Sequence, residues 1–235
     1  TEPQSLDPSK IEGVPEHRLY MALFEGLVTY DPKTANAIPG VAESWDISED
    51  GTTYTFHLRK AEWSDGTPIT AKTFVDSWLN LLNPAGNHPY ASLLDCIDGA
   101  ADYRNGKLKN KNQVGIKAES GQVLLVTTNT EIEHLPNILC HHAFSAVETS
   151  QLEAALKFSN IEKIEKLRDS FKPISSGAYR IKKFSEKELI LVKNEHYWDK
   201  DNVQIPQINL FLDLSKEEAI EKFNIGKIHW LSRSD

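Results

Sequence analysis

Residues 39–70 read PGVAESWDISEDGTTYTFHLRKAEWSDGTPIT, and no other stretch restricts the fold of this chain as tightly. Apolar and polar residues alternate through it, and Asp50-Gly51 and Asp65-Gly66 punctuate it. A period of two sends successive side chains to opposite faces of a strand, and Asp-Gly steps adopt the tight turns that join antiparallel strands. Trp45 and Ile47 are expected on one face of the outgoing strand, with Tyr54, Phe56 and Leu58 on one face of the return. That pattern predicts a half-buried hairpin. Thr70 then reads as a helix N-cap, Phe74, Trp78 and Leu82 share a helical face, and Asn83-Pro84 stops the helix.

The same two periods alternate along the rest of the chain. Residues Thr1 to Val14, punctuated by Pro3 and Pro8, read as extended; Pro15 suits the first turn of a helix whose apolar stripe is Leu19, Tyr20, Leu23 and Phe24. A second hairpin is predicted from Gly115 to Thr128 around Ser120-Gly121, and its apolar run Val123 to Val126 predicts a strand covered on both faces. The polar stretch Asn105 to Gln113 reads as a solvated loop. From Glu148 to Phe171 the spacing of Leu152, Leu156, Ile161, Ile164 and Leu167 is helical. Tyr179 and Ile181, the turn Ser185-Glu186-Lys187 and the run Leu189 to Val192 make a third hairpin, followed by a strand through Ile208, Leu210 and Leu212. Ser215 and Glu218 have the spacing of a capping box on a last short helix. Hairpins interrupted by isolated helices predict a mixed α/β (α+β) fold rather than a doubly wound parallel sheet.

Composition narrows the function. With 235 residues, 40% of them hydrophobic and 26% charged, the chain has the make-up of a globular protein with a real core. A net charge of −8 argues against nucleic acid and anionic membrane as partners. No run approaches the roughly 18 apolar residues of a membrane span, and the polar start at Thr1 shows no signal peptide, as expected of a mature, trimmed or partial chain. Cys96 and Cys140 are open to two readings, a pair in an oxidising compartment or two small buried hydrophobes. His134, His141 and His142 lack metal-ligand spacing, and neighbouring histidines in a regular element point apart, so no metal or other cofactor is expected. The carboxylate pairs Glu49-Asp50, Glu131/Glu133 and Glu217-Glu218 read as solvated charge, and Ser175-Ser176-Gly177 is not a nucleophile elbow. An enzyme is not expected. Trp45, Trp63, Trp78, Trp198 and Trp230 read mostly as core. Tyr90, in the loop His88-Pro89-Tyr90-Ala91, fits no period and is a candidate ligand-facing side chain.

The segments PGVAESW, YTFHLRK, WSDGTPITAKTFVDSW and HPYAS resemble the periplasmic oligopeptide-binding proteins of ABC importers, the family 5 extracellular solute-binding proteins. PQSLDPSKIEGVPE is similar to the oligopeptide-binding branch, and SGAYRIKKF, LVKNEHYWD and SKEEAIEKFNIGKIHW follow in the family's order. The resemblance implies a periplasmic-binding-protein-like type II architecture in which residues 1–24 and 149–235 form a discontinuous first lobe. Residues 25–148 would form an inserted accessory lobe. It implies a receptor, periplasmic or anchored to the cell envelope and monomeric, that captures oligopeptides and delivers them to ABC permease subunits. The guest peptide would pair through its backbone with the strand Ile11-Glu12-Gly13-Val14, while Tyr90 and the segment with Ser232 and Arg233 face it.

The chain departs from the family pattern at several places. His229 replaces an acidic residue, Ser176 and Arg233 replace amides, and the proline-rich end of the accessory lobe becomes His141-His142-Ala143-Phe144-Ser145. The strand before PQSLDP and the second ligand-binding lobe are missing, which implies weak peptide capture by this chain alone, because hinge closure needs two lobes. A dipeptide, murein peptide or metal chelate as the solute, and a truncated relative serving as an interaction module, are the alternative readings.

Overall fold

The computed structural model describes residues 7–11, 13–86, 88–148, 174–185 and 187–231. A 3-10 turn, Pro8–Lys10, precedes the first helix, α1 (Val14–Leu23), and Pro15 lies in its first turn, where a missing N–H costs nothing. Leu19, Tyr20 and Leu23 bury one stripe of α1, and Phe24 continues it. The extended reading of Thr1 to Val14 is thus corrected within the described residues: Pro8–Lys10 turns, and Val14 is already helical. The cause of the turn is Asp7, whose Oδ1 accepts from the N–H (3.0 Å) and hydroxyl (2.8 Å) of Ser9.

Strands β1 (Val28–Tyr30) and β2 (Ala37–Pro39) pair antiparallel, and β3 (Ala42–Ile47) and β4 (Thr53–Leu58) form the hairpin expected from the period-two stretch. Its turn places Gly51 at φ +68°, and the Asp50 carboxylate holds it by accepting from Ser48 Oγ at 2.6 Å and from the Thr52 N–H at 3.1 Å. Tyr54, Phe56 and Leu58 are buried as the alternation predicts. The short strands β5 (Ala61–Glu62) and β6 (Pro68–Ile69) flank the second Asp-Gly turn. Helix α2 (Ala71–Leu81) begins after Thr70, whose N–H donates to Thr73 Oγ1 at 3.1 Å. A short helix α3 (Ala100–Arg104) and the hairpin β7 (Ile116–Ala118) and β8 (Val123–Thr127) complete a four-stranded antiparallel sheet in the order β3-β4-β8-β7. Burial in β8 alternates, Leu124 and Val126 inside and Val123 and Leu125 half-buried, so the two-sided cover expected of this run is corrected. One face packs on α2.

Helix α4 (Leu135–Leu139) follows, and residues 142–144 make a 3-10 turn. Phe74 and Trp78 of α2, with Leu82, pack on Tyr54, Phe56, Leu124 and Val126 in the larger hydrophobic cluster, and the Trp78 indole donates to the Phe144 carbonyl at 2.7 Å. The helical pattern expected from Glu148 to Phe171 lies outside the described residues after Glu148. Strands β9 (Tyr179–Phe184), β10 (Glu188–Lys193) and β11 (Gln207–Phe211) form a three-stranded antiparallel sheet in the order β11-β10-β9. Ile181, Leu189 and Leu191 pack with Ile11, Leu19, Tyr20, Leu23 and Phe24 in the second cluster. The N–H of Gly177 donates to the Leu23 carbonyl at 2.9 Å, so the third hairpin starts against the end of α1. A Cβ at Gly177 would lie 2.8 Å from backbone atoms of Leu23 and Phe24.

The last helix, α5 (Lys216–Asn224), carries the expected capping box: the Ser215 N–H donates to Glu218 Oε2 (2.9 Å) and the Glu218 N–H to Ser215 Oγ (3.2 Å). It buries none of its residues. Trp230, read from sequence among the core tryptophans, is 58% exposed, with the Arg18 guanidinium 4.6 Å from its ring centre. Cys96 and Cys140 are both free thiols. Of the two readings left open for them, the small buried hydrophobe describes Cys140; Cys96 is half-buried.

Candidate functional site

The segment expected to receive a ligand backbone runs into α1. Ile11 is 2% exposed and roots the segment in the second cluster, whereas Val14 is 64% exposed. Gly13 has extended backbone (φ −117°, ψ 160°) and caps α1, its carbonyl accepting from the His17 N–H at 3.0 Å. Val14, read as the end of a strand, is instead the first residue of α1, so extended backbone ends at Gly13. Neither Ile11 nor Gly13 belongs to a strand ladder among the described residues. A Cβ at position 13 would fall 2.2 Å from Oε2 of the buried Glu16, so a larger residue there would make the Glu16 side chain shift. Glu12, Ser232 and Arg233 lie outside the described residues.

Tyr90 belongs to a patch of aromatic rings that reaches this part of the chain through His142, at Pro8 and His17. Its ring lies 4.5 Å from that of His141 and meets that of His142 edge-on at 5.1 Å. The two histidine rings are 4.1 Å apart, contrary to the expectation that neighbours point apart; His141 precedes a 3-10 turn and His142 begins it, so strand alternation does not apply. His142 Nδ1 lies 2.8 Å from the Pro8 carbonyl, which can only accept, so this nitrogen carries the proton. His141 Nδ1 accepts from the Ala143 N–H at 3.3 Å, which places the His141 proton on Nε2. His17, one turn into α1, is 5.8 Å from His142 and 5.7 Å from Tyr20, and the Tyr20 hydroxyl is 2.7 Å from Ser145 Oγ. The patch thus bonds to both sides of the candidate ligand segment, at Pro8 and through α1. Burial lowers the imidazole of His141 to about 4, helped by His142 and His17, and lowers that of His142 against the pull of the Pro8 carbonyl. Both are neutral at pH 7.

Sequence reasoning singled out Tyr90 and missed His141 and His142 as its neighbours, and His17 beside His142. The signal available was the replacement of a proline-rich segment by two histidines; the contacts join residues 90, 141, 142 and 17, which no local period connects.

The chain crosses between the two clusters at a polar junction. The Tyr197 hydroxyl donates to Glu25 Oε2 at 2.6 Å, and the Glu25 N–H donates to Ser176 Oγ at 3.0 Å. Arg59 lies 3.7 Å over the Trp198 ring while its Nε donates to the Gly40 carbonyl at 2.8 Å. His196 Nδ1 is 2.8 Å from Glu62 Oε2, and Ser64 and Ser175 exchange two hydrogen bonds of 2.8 and 3.0 Å. Burial pushes the Glu25 carboxyl up and outweighs the Tyr197 hydrogen bond and the Arg59 charge. Among the described residues no group of three or more His, Cys, Asp or Glu could hold a metal ion, and no helix is long and apolar enough to cross a membrane.

The profile of the bacterial extracellular solute-binding proteins, family 5 middle region, matches residues 36–234. The chain belongs to this family. Among curated family 5 relatives, the periplasmic oligopeptide-binding protein OppA of Escherichia coli is 37% identical over 100% of this chain. The periplasmic murein peptide-binding protein MppA of the same organism is 33% identical over 94%. The chain spans 42% and 40% of their respective lengths. A crystal structure of Haemophilus influenzae OppA in complex with RPPGFSPFR superposes with a TM-score of 0.81 at 30% identity, covering 97% of this chain and 43% of that one. The mixed α/β architecture expected from the alternating hairpins and helices is that of these family 5 structures. These relatives are solute-binding transport proteins.

Proposed function

We propose that this chain is the peptide-holding part of an extracytoplasmic receptor that captures oligopeptides and passes them to the permease of an ABC importer. Residues 1–24 with 149–235 form its first lobe and residues 25–148 the accessory lobe. The two separate hydrophobic clusters support this division, Leu23 and Phe24 falling in one and Leu27 and Val28 in the other. The observation that carries the functional reading is the backbone of Ile11 and of Gly13: rooted by a buried isoleucine, extended at both residues, outside any ladder among the described residues, and joined to the ring patch through Pro8 and α1. Amide groups in that state accept an extended guest whatever its side chains are, and no bond in the guest is made or broken.

One lobe buries only one side of a guest, so binding to the chain by itself falls in the millimolar range. Nuclear magnetic resonance titration tests this. Trialanine is expected to shift amide signals at residues 11–14, and trialanine N-methylated at its internal amides is expected to shift none. Equal binding of the two peptides, or no binding of either, overturns the backbone-pairing reading.

A further inference from the structure

The ring patch beside the candidate ligand segment has a surface of its own. Tyr90 and His141 are half-buried and His17 is exposed, so these three rings reach solvent while His142 is buried behind them. The hydrogen bonds to Pro8 and Ala143 set the two imidazole tautomers, leaving His141 with an Nε2–H donor that no group among the described residues takes up. The rings against His141 are those of Tyr90 from its loop and His142 and Phe144 from its own turn, and His17 of α1 joins the patch through His142. None of these is a carboxylate, an ammonium or a guanidinium. The nearby charges of Asp7 and Lys10 face each other at 3.5 Å. A charged ligand side chain set on these rings would lose water without gaining a counter-charge. A planar aromatic ring would meet tilted π faces and one N–H donor, the arrangement in which aromatic pairs attract beyond simple burial.

From this geometry we infer that Tyr90, His141 and His17 form a side-chain-reading subsite that takes an aromatic residue of the bound peptide. The inference rests on the peptide reading above and adds a preference to it: the backbone holds any peptide, and the ring patch favours one carrying phenylalanine or tyrosine. The histidines that replace the proline-rich end of the accessory lobe are what build it.

The test titrates the whole chain at pH 7 with Ala-Phe-Ala, Ala-Glu-Ala and Ala-Ala-Ala, following ring-proton signals of His17 and His141. Ala-Phe-Ala is expected to bind roughly three- to tenfold more tightly than Ala-Ala-Ala, with ring-current shifts at both histidines, and Ala-Glu-Ala no more tightly than Ala-Ala-Ala. His141→Ala should close the gap between Ala-Phe-Ala and Ala-Ala-Ala. His17→Ala, which removes an exposed ring from beside His142 and Tyr20, should narrow it. Equal affinity of the three peptides, a preference that survives both substitutions, or uniform weakening of all three in His141→Ala overturns the subsite while leaving the peptide reading in place. Failure of every peptide to bind overturns the peptide reading, and the subsite with it.

Discussion

At Gly177 a single hydrogen atom decides whether the third hairpin can dock. The residue adopts no unusual φ, so its need for glycine comes from the backbone of Leu23 and Phe24, 2.8 Å from where a Cβ would stand. Backbone at the end of a buried helix cannot move aside as a long side chain can. Gly177→Ala is therefore expected to cost about 1–3 kcal/mol of stability, read as a lower urea midpoint. Gly13 makes an instructive contrast, because the atom it avoids is the end of the Glu16 side chain. The segment SSGAY does not announce the requirement at Gly177, which arises where backbone from a distant part of the chain closes the space.

The elements themselves were largely readable. Apolar patterning and turn residues marked both arms of the β3–β4, β7–β8 and β9–β10 hairpins, the reversals being signalled by Asp50-Gly51, Ser120-Gly121 and the polar run Ser185-Glu186-Lys187. Where the reading missed, neighbours were responsible. The run Val123 to Val126 looks two-sided, yet only one face of β8 meets a helix. Helix α5 shows the limit in another way: its capping box was legible as Ser215 and Glu218, but its lack of any buried residue was not. A helix of that length depends on its cap more than a packed one does. Ser215→Ala should cost about 1 kcal/mol locally, speeding amide exchange across residues 216–224 while the global unfolding midpoint stays put. A shift of the global midpoint would mean that α5 is part of the cooperative core.

Across the whole molecule the two clusters are tied by polar contacts, and the tie is sensitive to pH. Glu25 is held with its carboxyl above the usual range, so the folded chain keeps a proton that the unfolded chain releases. Stability contributed by this group is present at low pH and declines as pH rises through the raised value. Tyr197 counters this by donating to the carboxylate at 2.6 Å. Tyr197→Phe removes that donor and should cost about 1–3 kcal/mol, more at pH 8 than at pH 5, measured as urea midpoints at both. A loss independent of pH would show that Glu25 does not titrate at the junction. Farther out, Ile205, Phe211, Ile220, Phe223, Ile225 and Trp230 leave apolar surface open over residues 205–230, in a chain that spans well under half the length of its relatives.

Local order, and the kinship that goes with it, was determined by the amino-acid sequence alone: strand against helix, turn positions, caps, the absence of nucleophile or metal spacing, and family motifs running in order from end to end. Those properties depend on residues a few positions apart, whose steric and hydrogen-bonding preferences act before the chain is compact. Tertiary structure decided what is shared between distant residues. It put His17, Tyr90 and His141 in one patch, fixed the imidazole tautomers through Pro8 and Ala143, ended the extended segment at Gly13, and left Trp230 in solvent under Arg18. Burial and ring contact depend on which surfaces meet, and no periodicity encodes that meeting.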